Sequence, residues 1–245
     1  MPNLFYGCSF LIFVWMKSNT SQTLSEENYL KAIYHLTTQA DNKVTVTSIA
    51  EELVNNPASV VDMLKKLKQK KLIQYDKIKG AFLTAGGLKV AVQIVRKHRL
   101  WEVFLHDKLR YSWDEVHDIA EQLEHIRDYY LPDRLDKFLG FPQFDPHGDP
   151  IPQSNGDLPV ISSKPLSEIK AGFKIKVTSV SDSSADFLRY LEKQGIGINQ
   201  AITVKEIQAF DQSVLIELKG NKEVYLSAEA AKKIFVLTRD HSGQK

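Results

Sequence analysis

Apolar residues along the first half of the chain recur every three or four positions, as they do on one face of an amphipathic helix. From Leu166 onward the period changes to two, which is typical of strands with one buried face. The pattern therefore predicts a protein that is mainly α with α+β parts. A winged helix-turn-helix comes first, a helical dimerisation domain follows, and a small SH3-like β-barrel lies near the end.

The first helices read as a helix-turn-helix. A capping box at Thr23–Glu26 starts one helix, and Thr47 is the expected cap of a second, after a short β-prone piece at 44–46. Asn56 can cap a third, longer helix, for which Pro57 suits the first position. Two short helices and a tight turn before a longer amphipathic helix are typical of DNA-binding domains.

A predicted β-hairpin around residues 77–80 follows this recognition helix and forms a wing. Side chains at the start of the helix would face base edges, and lysines farther along it and in the wing would lie near phosphates. The predicted DNA contacts are Asn56, Pro57, Ala58, Ser59, Asp62, Lys65, Lys66, Lys68, Lys77 and Lys79. The alternatives are a merely soluble lysine-rich helix or a winged helix that binds protein.

Two predicted helices after the wing present metal-binding residue types. A long helix from Leu88 to Leu109 follows Gly86-Gly87 and places His98 and Glu102 one turn apart. A capping box at Ser112–Glu115 begins the next helix. One face of that helix carries His117, Glu121, Glu124 and His125. Nitrogen and carboxylate ligands without a thiolate suit Mn²⁺ or Fe²⁺, and imidazole also accepts Zn²⁺. The alternative interpretation is that these residues form a solvated polar stripe on an amphipathic helix.

The apolar stripes of these helices, and of a short one at Leu131–Leu139, exceed what one small core needs. They predict a homodimer, which would read a palindromic operator in double-stranded DNA. Six of the nine prolines lie between Gly140 and Pro165, which predicts a linker. Inside it, Asp145 and His147 lie on either side of a proline; this pattern is also usual in turns.

The predicted divisions follow these changes of pattern. They are an apolar extension at 1–19, the winged helix-turn-helix at 20–86, the helical metal-binding and dimerisation domain at 87–140, the linker at 141–165, the SH3-like domain at 166–239 and a tail at 240–245. The SH3-like domain has β-prone segments at 173–177, 201–205, 213–218, 223–226 and 234–237, with a helix at 185–194.

Charge is distributed unevenly, although the net charge is only +2. Between Pro57 and Arg99, nine Lys and two Arg stand against two Asp, which gives +9 and leaves −7 for the other residues. A concentration of positive charge in one folded segment indicates a polyanionic partner such as DNA.

The N-terminal segment contains the single cysteine, Cys8, so an intramolecular disulfide is excluded and a reducing, cytoplasmic setting is expected. The apolar run Leu4–Met16 has thirteen residues, which is short of the roughly 20 that span a bilayer. It is either an extension that touches a membrane or a partner, or upstream sequence with Met16 as the true start. We favour the second interpretation and expect no membrane association.

Taken together, these motifs resemble the metal-dependent repressors of the DtxR/MntR family, over about residues 23–239 and with a FeoA-like C-terminal domain. The matching words are Glu27–Tyr34, Arg96–Leu100 with Glu102, Val116–Asp118 with Glu121, Glu124-His125, Phe141-Pro142 and Pro146–Gly148. The resemblance implies a transcriptional repressor rather than an enzyme, with Mn²⁺ or Fe²⁺ as co-repressor of metal-uptake and homeostasis genes.

The resemblance also implies the ligands. The primary site is expected at Asn28, Glu121, Glu124 and His125. A second site is expected at His98, Glu102 and His117 in one branch of the family, or at Glu102, Asp145, His147 and an acidic group, Asp182, in the streptococcal-type branch. An ion shared by residue 28 and the central helix would restrict motion between the DNA-binding and dimerisation parts, and so favour the operator-binding form.

Three positions bear on the identity of the metal. Glu121 stands where manganese-type members carry Glu and the iron-type repressor carries Cys. Asn28 replaces the Asp of manganese-type and the Met of iron-type members, and Lys31 replaces the Glu of two-metal manganese regulators. Two other functions stay open from the residues alone, a metal-independent winged-helix regulator and a metallohydrolase. A metallohydrolase is disfavoured because no separate base or phosphate-binding glycine loop is evident.

Overall fold

A computed structural model describes residues 22–39, 43–159 and 162–238. They fall into two compact units, one up to Ala91 and one from Val92. The apolar N-terminal extension with Cys8, and the C-terminal tail, lie outside the described residues. None of the described helices is both long and apolar enough to cross a membrane. The finer domain boundaries given above stay a prediction.

The first unit is a winged helix-turn-helix, as predicted. Its elements are α1 (Leu24–Gln39), α2 (Val46–Glu52), α3 (Pro57–Gln69), β1 (Ile73–Asp76) and β2 (Gly80–Leu83). Antiparallel pairing of the two strands makes the wing. Its core contains the fully buried side chains Leu30, Ile33, Ile49, Val60, Leu64 and Leu67. The predicted capping box of α1 is confirmed, because Thr23 N donates to Glu26 Oε2 and Glu26 N to Thr23 Oγ1.

The cap of α2 is Thr45, and the prediction of Thr47 was wrong. Thr45 Oγ1 accepts from Ser48 N at 3.1 Å, and Ser48 Oγ accepts from Thr45 N at 2.9 Å. Serine here supplies the reciprocal bond that Glu or Gln gives in the usual capping box. Only Val44 keeps a strand-like contact, through its carbonyl, which accepts from Ala81 N at 2.9 Å.

Three helices precede the C-terminal sheet, and two of them differ from the prediction in their limits. They are α4 (Ala85–Asp107), which begins in the first unit, α5 (Val116–Leu123) and α6 (Leu131–Leu139). The start of α4 includes both glycines, since Thr84 Oγ1 accepts from Gly87 N and caps the helix. One half of the predicted capping box is present, since Ser112 N donates to Glu115 Oε2 at 2.9 Å. Helix α5 nevertheless starts later than predicted, because the Ser112 hydroxyl donates to the same oxygen at 2.7 Å instead of accepting a backbone hydrogen bond.

Helix α6 is anchored to α4 by a buried arginine. Arg96 is 2% exposed, and its Nη2 lies 2.7 Å from Asp136 and 3.0 Å from Asp133. The proline-rich segment after α6 folds into turns; Asp145 N donates to Asp149 O, and Phe144 pairs with Pro150. This segment returns to α4, because Arg99 donates to the carbonyl of Pro150 at 2.5 Å.

The C-terminal part is a six-stranded antiparallel sheet, which contains the five predicted strands and a short further one, Lys164–Pro165, in the segment predicted as a linker. Its elements are β3 (Lys164–Pro165), a 3-10 turn (Leu166–Glu168), β4 (Lys174–Val180), α7 (Ala185–Gln194), β5 (Ala201–Ile207), β6 (Val214–Glu217), β7 (Glu223–Leu226), α8 (Ala228–Lys233) and β8 (Ile234–Thr238). The strand order is β3-β8-β4-β5-β6-β7, and bulges in β4 and β5 bend the sheet. Helix α8 contacts both edge strands, β3 and β7, so it lies where a closed barrel would join them.

Candidate metal centre and DNA-binding surface

Two groups of ionisable side chains in the second unit lie close enough together to bind a cation. His98 and Glu102 stand one turn apart on α4, and His117 lies in the first turn of α5. Asp145 and His147 belong to the turn that follows α6. Ligand atoms of the first three residues lie within 4.8 Å of one another, and so do those of Glu102, Asp145 and His147. Glu102 is therefore common to both groups.

The first group converges on one point. His98 Nε2 lies 2.9 Å from Glu102 Oε1 and 3.2 Å from His117 Nδ1. His117 Nδ1 lies 3.3 Å from the same Glu102 oxygen. Ligand atoms bonded to one ion at about 2.1 Å are themselves roughly 3 Å apart. The three atoms therefore have the spacing that a single divalent ion requires.

In the second group, His147 is held by its surroundings. Its Nε2 lies 2.7 Å from the carbonyl oxygen of Trp113, so this nitrogen donates to the carbonyl. The other ring nitrogen, Nδ1, lies 3.7 Å from Glu102 Oε1. The Trp113 indole also stacks on the imidazole, with centroids 6.3 Å apart. Metal-binding histidines are commonly oriented in this way by a hydrogen bond from the nitrogen that does not bind the ion.

Asp145 is held just as firmly. Its Oδ1 accepts from the backbone N–H groups of His147 and Asp149, both at 2.9 Å. Its Oδ2 lies 3.5 Å from Nε of Arg99. Sequence reasoning missed the supporting roles of Arg99 and Trp113. Arg99 belongs to a quoted motif and Trp113 lies inside the predicted capping box at Ser112–Glu115, but their partners are distant in sequence and only the folded chain brings them together.

The electrostatics of these groups favour a bound cation. Burial raises the pKa of Asp145, and the charges of Glu102 and Asp149 add to it, so that the pKa lies well above its usual range against the opposing charge of Arg99. Burial also raises the pKa of Glu102, but the neighbouring imidazoles outweigh it and hold the pKa well below its usual range. Burial lowers the pKa of His147, and the Glu102 carboxylate more than reverses this, to about 9. Two buried carboxyl groups packed against three imidazoles form an arrangement whose charges a divalent ion would balance.

The second unit also contains three of the predicted primary ligands. Glu124 is fully buried; its Oε2 lies 2.6 Å from His98 Nδ1, and its Oε1 lies 3.7 Å from His125 Nε2. Glu121 is exposed, one turn earlier on α5. Because α5 ends at Leu123, His125 lies in the following turn, and the prediction that it shares a helical face was wrong. His98 links Glu124 to the first ligand group. Its Nδ1 lies beside Glu124, and its Nε2 lies beside Glu102 and His117.

The fourth predicted primary ligand, Asn28, lies in α1 of the first unit. Its Oδ1 is buried, and within the described part of the chain no group donates a hydrogen bond to it. A buried amide oxygen without a donor is rare, and a cation would satisfy it. The complete set of four primary ligands stays a prediction.

Asp182, the predicted acidic ligand from the C-terminal domain, is engaged elsewhere. Its Oδ2 accepts from Lys233 Nζ at 2.8 Å, and its Oδ1 accepts from Ser184 N at 2.9 Å. It belongs to neither of the two ligand groups found among the described residues. A role as a metal ligand would require the ion pair with Lys233 to open, and stays a prediction.

The predicted DNA-contacting side chains are exposed in the first unit. Asn56 Oδ1 accepts from Ala58 N at 2.8 Å and caps α3, with Pro57 in the first turn, as predicted. Lys65 pairs with Asp62 at 3.0 Å on the helix surface. The exposed set is Asn56, Pro57, Ala58, Ser59, Asp62, Lys65, Lys66, Lys68, Lys77 and Lys79.

One member of this set has a partner that the sequence did not indicate. Glu26 on α1 is fully buried, and its carboxylate lies 3.1 Å from Lys66 Nζ and 2.8 Å from Lys70 Nζ. The two lysines therefore join the end of α3 to α1, and a phosphate contact by Lys66 would compete with Glu26. Glu26 was identified from sequence only as the end of a capping box.

Three models of protein families match the chain. The N-terminal DNA-binding domain of iron-dependent repressors matches residues 22–81, and their metal-binding and dimerisation domain matches 84–153. The FeoA domain matches 164–237. Together the three matches include most of the chain and both ligand groups.

Comparison with individual proteins leads to the same family as the family models. The iron-dependent repressor IdeR of Mycobacterium leprae is 29% identical over 217 residues, which cover 84% of this chain and 93% of IdeR. The regulator MntR of Oceanobacillus iheyensis is 31% identical over 119 residues, 49% of this chain and 80% of MntR. A solved structure of a manganese-dependent transcriptional repressor in complex with manganese is 33% identical, with a TM-score of 0.81, and the match covers 87% of this chain and 99% of that one. The chain therefore belongs to the iron-dependent repressor family, the DtxR/MntR family of transcriptional repressors.

Proposed function

We propose that this protein is a metal-dependent transcriptional repressor in which Mn²⁺ or Fe²⁺ acts as co-repressor of genes for metal uptake and homeostasis. The observation that supports this most is the pair of buried ligand groups that share Glu102, in a chain that also carries a winged helix-turn-helix. The relatives named iron-dependent repressor, and the similar manganese-dependent repressor, support the same function.

The ligand types favour Mn²⁺ over Zn²⁺, with Fe²⁺ as the alternative. The groups offer carboxylate oxygens and imidazole nitrogens, the donors that suit Mn²⁺ and Fe²⁺. The residues that would hold metal in the second unit are His98, Glu102, His117, Glu121, Glu124, His125, Asp145 and His147. Asn28 would add a neutral oxygen from α1. When bound, the ion supplies positive charge that holds these ligands together; it performs no reaction.

The exposed aromatic side chains of the second unit support a homodimer. Tyr129, Tyr130, Phe138 and Phe141 are each more than 60% exposed. They belong to the region that matches the family's dimerisation domain. A contiguous exposed apolar patch often marks an interface, and these four side chains would contribute to one. A symmetric dimer would present two recognition helices to a palindromic operator in double-stranded DNA.

The experiment begins by selecting operator duplexes from a random pool with the Mn²⁺-loaded full-length protein. Fluorescence anisotropy then measures operator affinity with Mn²⁺, with Fe²⁺ under anaerobic conditions, with Zn²⁺, and with EDTA. We expect a palindromic sequence, with tight binding in Mn²⁺ or Fe²⁺ and binding weaker by about 5-fold to 150-fold in EDTA. Equal affinity in EDTA would instead identify a metal-independent winged-helix regulator.

Glu102→Gln is the informative variant, because it removes one charged ligand from both groups. We expect it to lose the stimulation by metal while keeping its DNA-binding unit folded. Glu192→Gln is the matched control, since Glu192 is exposed on α7 and belongs to neither ligand group. Full stimulation of Glu102→Gln would contradict the assigned metal centre.

A further inference from the structure

A single buried carboxylate holds two lysines at the end of the recognition helix. Glu26 lies in the first turn of α1 and has no exposed surface. Its Oε1 lies 3.1 Å from Lys66 Nζ, and its Oε2 lies 2.8 Å from Lys70 Nζ. The same Oε2 accepts from Thr23 N at 2.9 Å, which fixes the carboxylate in place. One acidic group of α1 therefore shares its charge between two basic groups of α3 and its cap.

These ion pairs differ from the ordinary pair on the surface of the same helix. Lys65 pairs with Asp62 at 3.0 Å, and both side chains are largely exposed. Water can replace either partner there, so such a pair opens at little cost. A fully buried carboxylate that lost its lysines would instead remain as an uncompensated charge inside the protein. Glu26 therefore holds Lys66 and Lys70 much more firmly than Asp62 holds Lys65.

The position of Glu26 matters because this part of the chain is strongly basic. Between residues 65 and 79 there are seven lysines and one acidic residue, Asp76, which gives 7 − 1 = +6. Asp76 is used to shape the wing, since its Oδ1 accepts from the N–H groups of Ile78 and Lys79, both at 2.8 Å. Glu26 enters from α1 and neutralises part of the positive charge at the end of α3.

We infer that Glu26 withholds the charges of Lys66 and Lys70 from DNA phosphates, and so lowers the affinity of the protein for DNA of any sequence. Phosphate contacts supply binding that does not depend on sequence. A phosphate that took Lys66 would have to compensate for the loss of its pair with Glu26. A weaker general affinity keeps the metal-free protein off DNA, so that metal is needed for occupancy. This inference rests on the proposed function and gives a residue of α1 a role in setting DNA affinity.

The test removes the charge of Glu26 in two ways. Glu26→Gln keeps the shape of the side chain, and Glu26→Leu places a good helix former in a fully buried position that then needs no partner. Fluorescence anisotropy measures binding of the full-length variants to the selected operator and to a duplex of unrelated sequence, over a range of salt concentrations, with Mn²⁺ and with EDTA. We expect both variants to bind both duplexes about 5-fold to 30-fold more tightly at physiological salt. The slope of log K against log salt should become steeper by about 1 to 2.

Two further proteins make the test specific. Glu229→Gln is the matched control, because it also removes a glutamate paired with a lysine, Lys232 at 3.7 Å, but on the exposed surface of α8. It should change neither the affinity nor the slope. In the double variant Lys66→Gln/Lys70→Gln, adding Glu26→Gln should leave the slope unchanged, because no lysine charge is left to release.

Two outcomes would overturn the inference. Weaker binding by Glu26→Gln and Glu26→Leu, with an unchanged or shallower slope, would mean that Glu26 only positions α3 for binding. A steeper slope that persists without the two lysines would mean that Glu26 acts through other groups. Failure of the proposed function would look different, because the wild type would then bind equally in Mn²⁺ and EDTA, whereas the effect of Glu26 is measured in either. Circular dichroism confirms that each variant is folded, and Glu26→Leu gives the result if the buried glutamine unfolds the first unit.

Discussion

Two adjacent glycines at the start of α4 stand in very different surroundings. A Cβ on Gly87 would lie 1.9 Å from the carbonyl oxygen of Leu72, which is backbone and cannot move aside freely. A Cβ on Gly86 would meet only Thr84 Oγ1, at 3.7 Å, an ordinary contact. Gly87 therefore allows α4 to pass close to the wing, whereas Gly86 has no such role.

This difference predicts opposite effects of one substitution. Gly87→Ala should destabilise the protein by about 1 to 3 kcal/mol, because overpacking forces the backbone to shift. Gly86→Ala should stabilise it by up to about 1 kcal/mol, because alanine is the better helix former. Urea unfolding of both variants measures the two free energies. Equal effects of the two substitutions would contradict the close approach of Gly87 to Leu72.

The sequence was most informative about the metal centre where the spacing of single residues decides which ligand atoms meet. His98 and Glu102 lie one turn apart on a helix, and that spacing alone brings their ligand atoms together. The contact of His98 with Glu124 could not be derived in this way, because it joins α4 to the end of α5. The carbonyl of Trp113 that orients His147 is also invisible in the sequence, since every residue type has one.

Among the elements, α2 shows how local side-chain hydrogen bonds determine where a helix begins. The sequence 44–47 offers Thr45 and Thr47 as caps, and the structure uses Thr45 because Ser48 completes a reciprocal pair of hydrogen bonds with it. β-branched Val44 and Val46 favoured a strand in the prediction. The outcome shows that side-chain hydrogen bonds outweighed this preference.

Thr45→Ala should therefore destabilise the first unit by about 1 kcal/mol, since an N-cap bond is lost. Thr47→Ala is the control, because Thr47 is exposed inside the first turn of α2, and the cost there should be within about 0.5 kcal/mol. Thermal unfolding followed by circular dichroism measures both. A larger loss for Thr47→Ala would restore the cap predicted from the sequence.

The strands and helices of the C-terminal sheet were easier to predict than α5. Ser227 caps α8, and its side chain accepts from Ala230 N, as is usual for a serine just before a helix. Gly195 ends α7 in the left-handed conformation that favours glycine. Helix α5 lacks such signals at its end, and its turn at Glu124-His125 depends on contacts made by Glu124 elsewhere in the fold.

At the scale of the whole molecule, metal should stabilise the second unit. The two ligand groups join α4, α5 and the turn after α6, which are far apart in sequence. Mn²⁺ at about 100 times its dissociation constant should therefore add about 2.7 kcal/mol to the free energy of unfolding. Scanning calorimetry with Mn²⁺ and with EDTA measures the shift of the thermal midpoint.

Two variants test whether the stabilisation by Mn²⁺ comes from the two ligand groups. Glu102→Gln should lose most of the stabilisation, and Glu192→Gln should keep it. An equal shift for both variants would mean that Mn²⁺ acts at some other place on the chain.

Metal and operator should each strengthen the binding of the other, because a repressor controlled by metal has one coupling free energy between the two sites. The sequence predicted both sites, through the helix-turn-helix pattern and the His and carboxylate spacings. It could not predict the size of the coupling, which depends on differences between the free and bound forms.

The most direct test measures this coupling from both directions. One titration gives the operator affinity with and without Mn²⁺, and the other gives the Mn²⁺ affinity with and without operator. We predict the same factor in both, corresponding to about 1 to 3 kcal/mol. A Mn²⁺ affinity that does not change when operator is present would contradict metal-controlled repression by this protein.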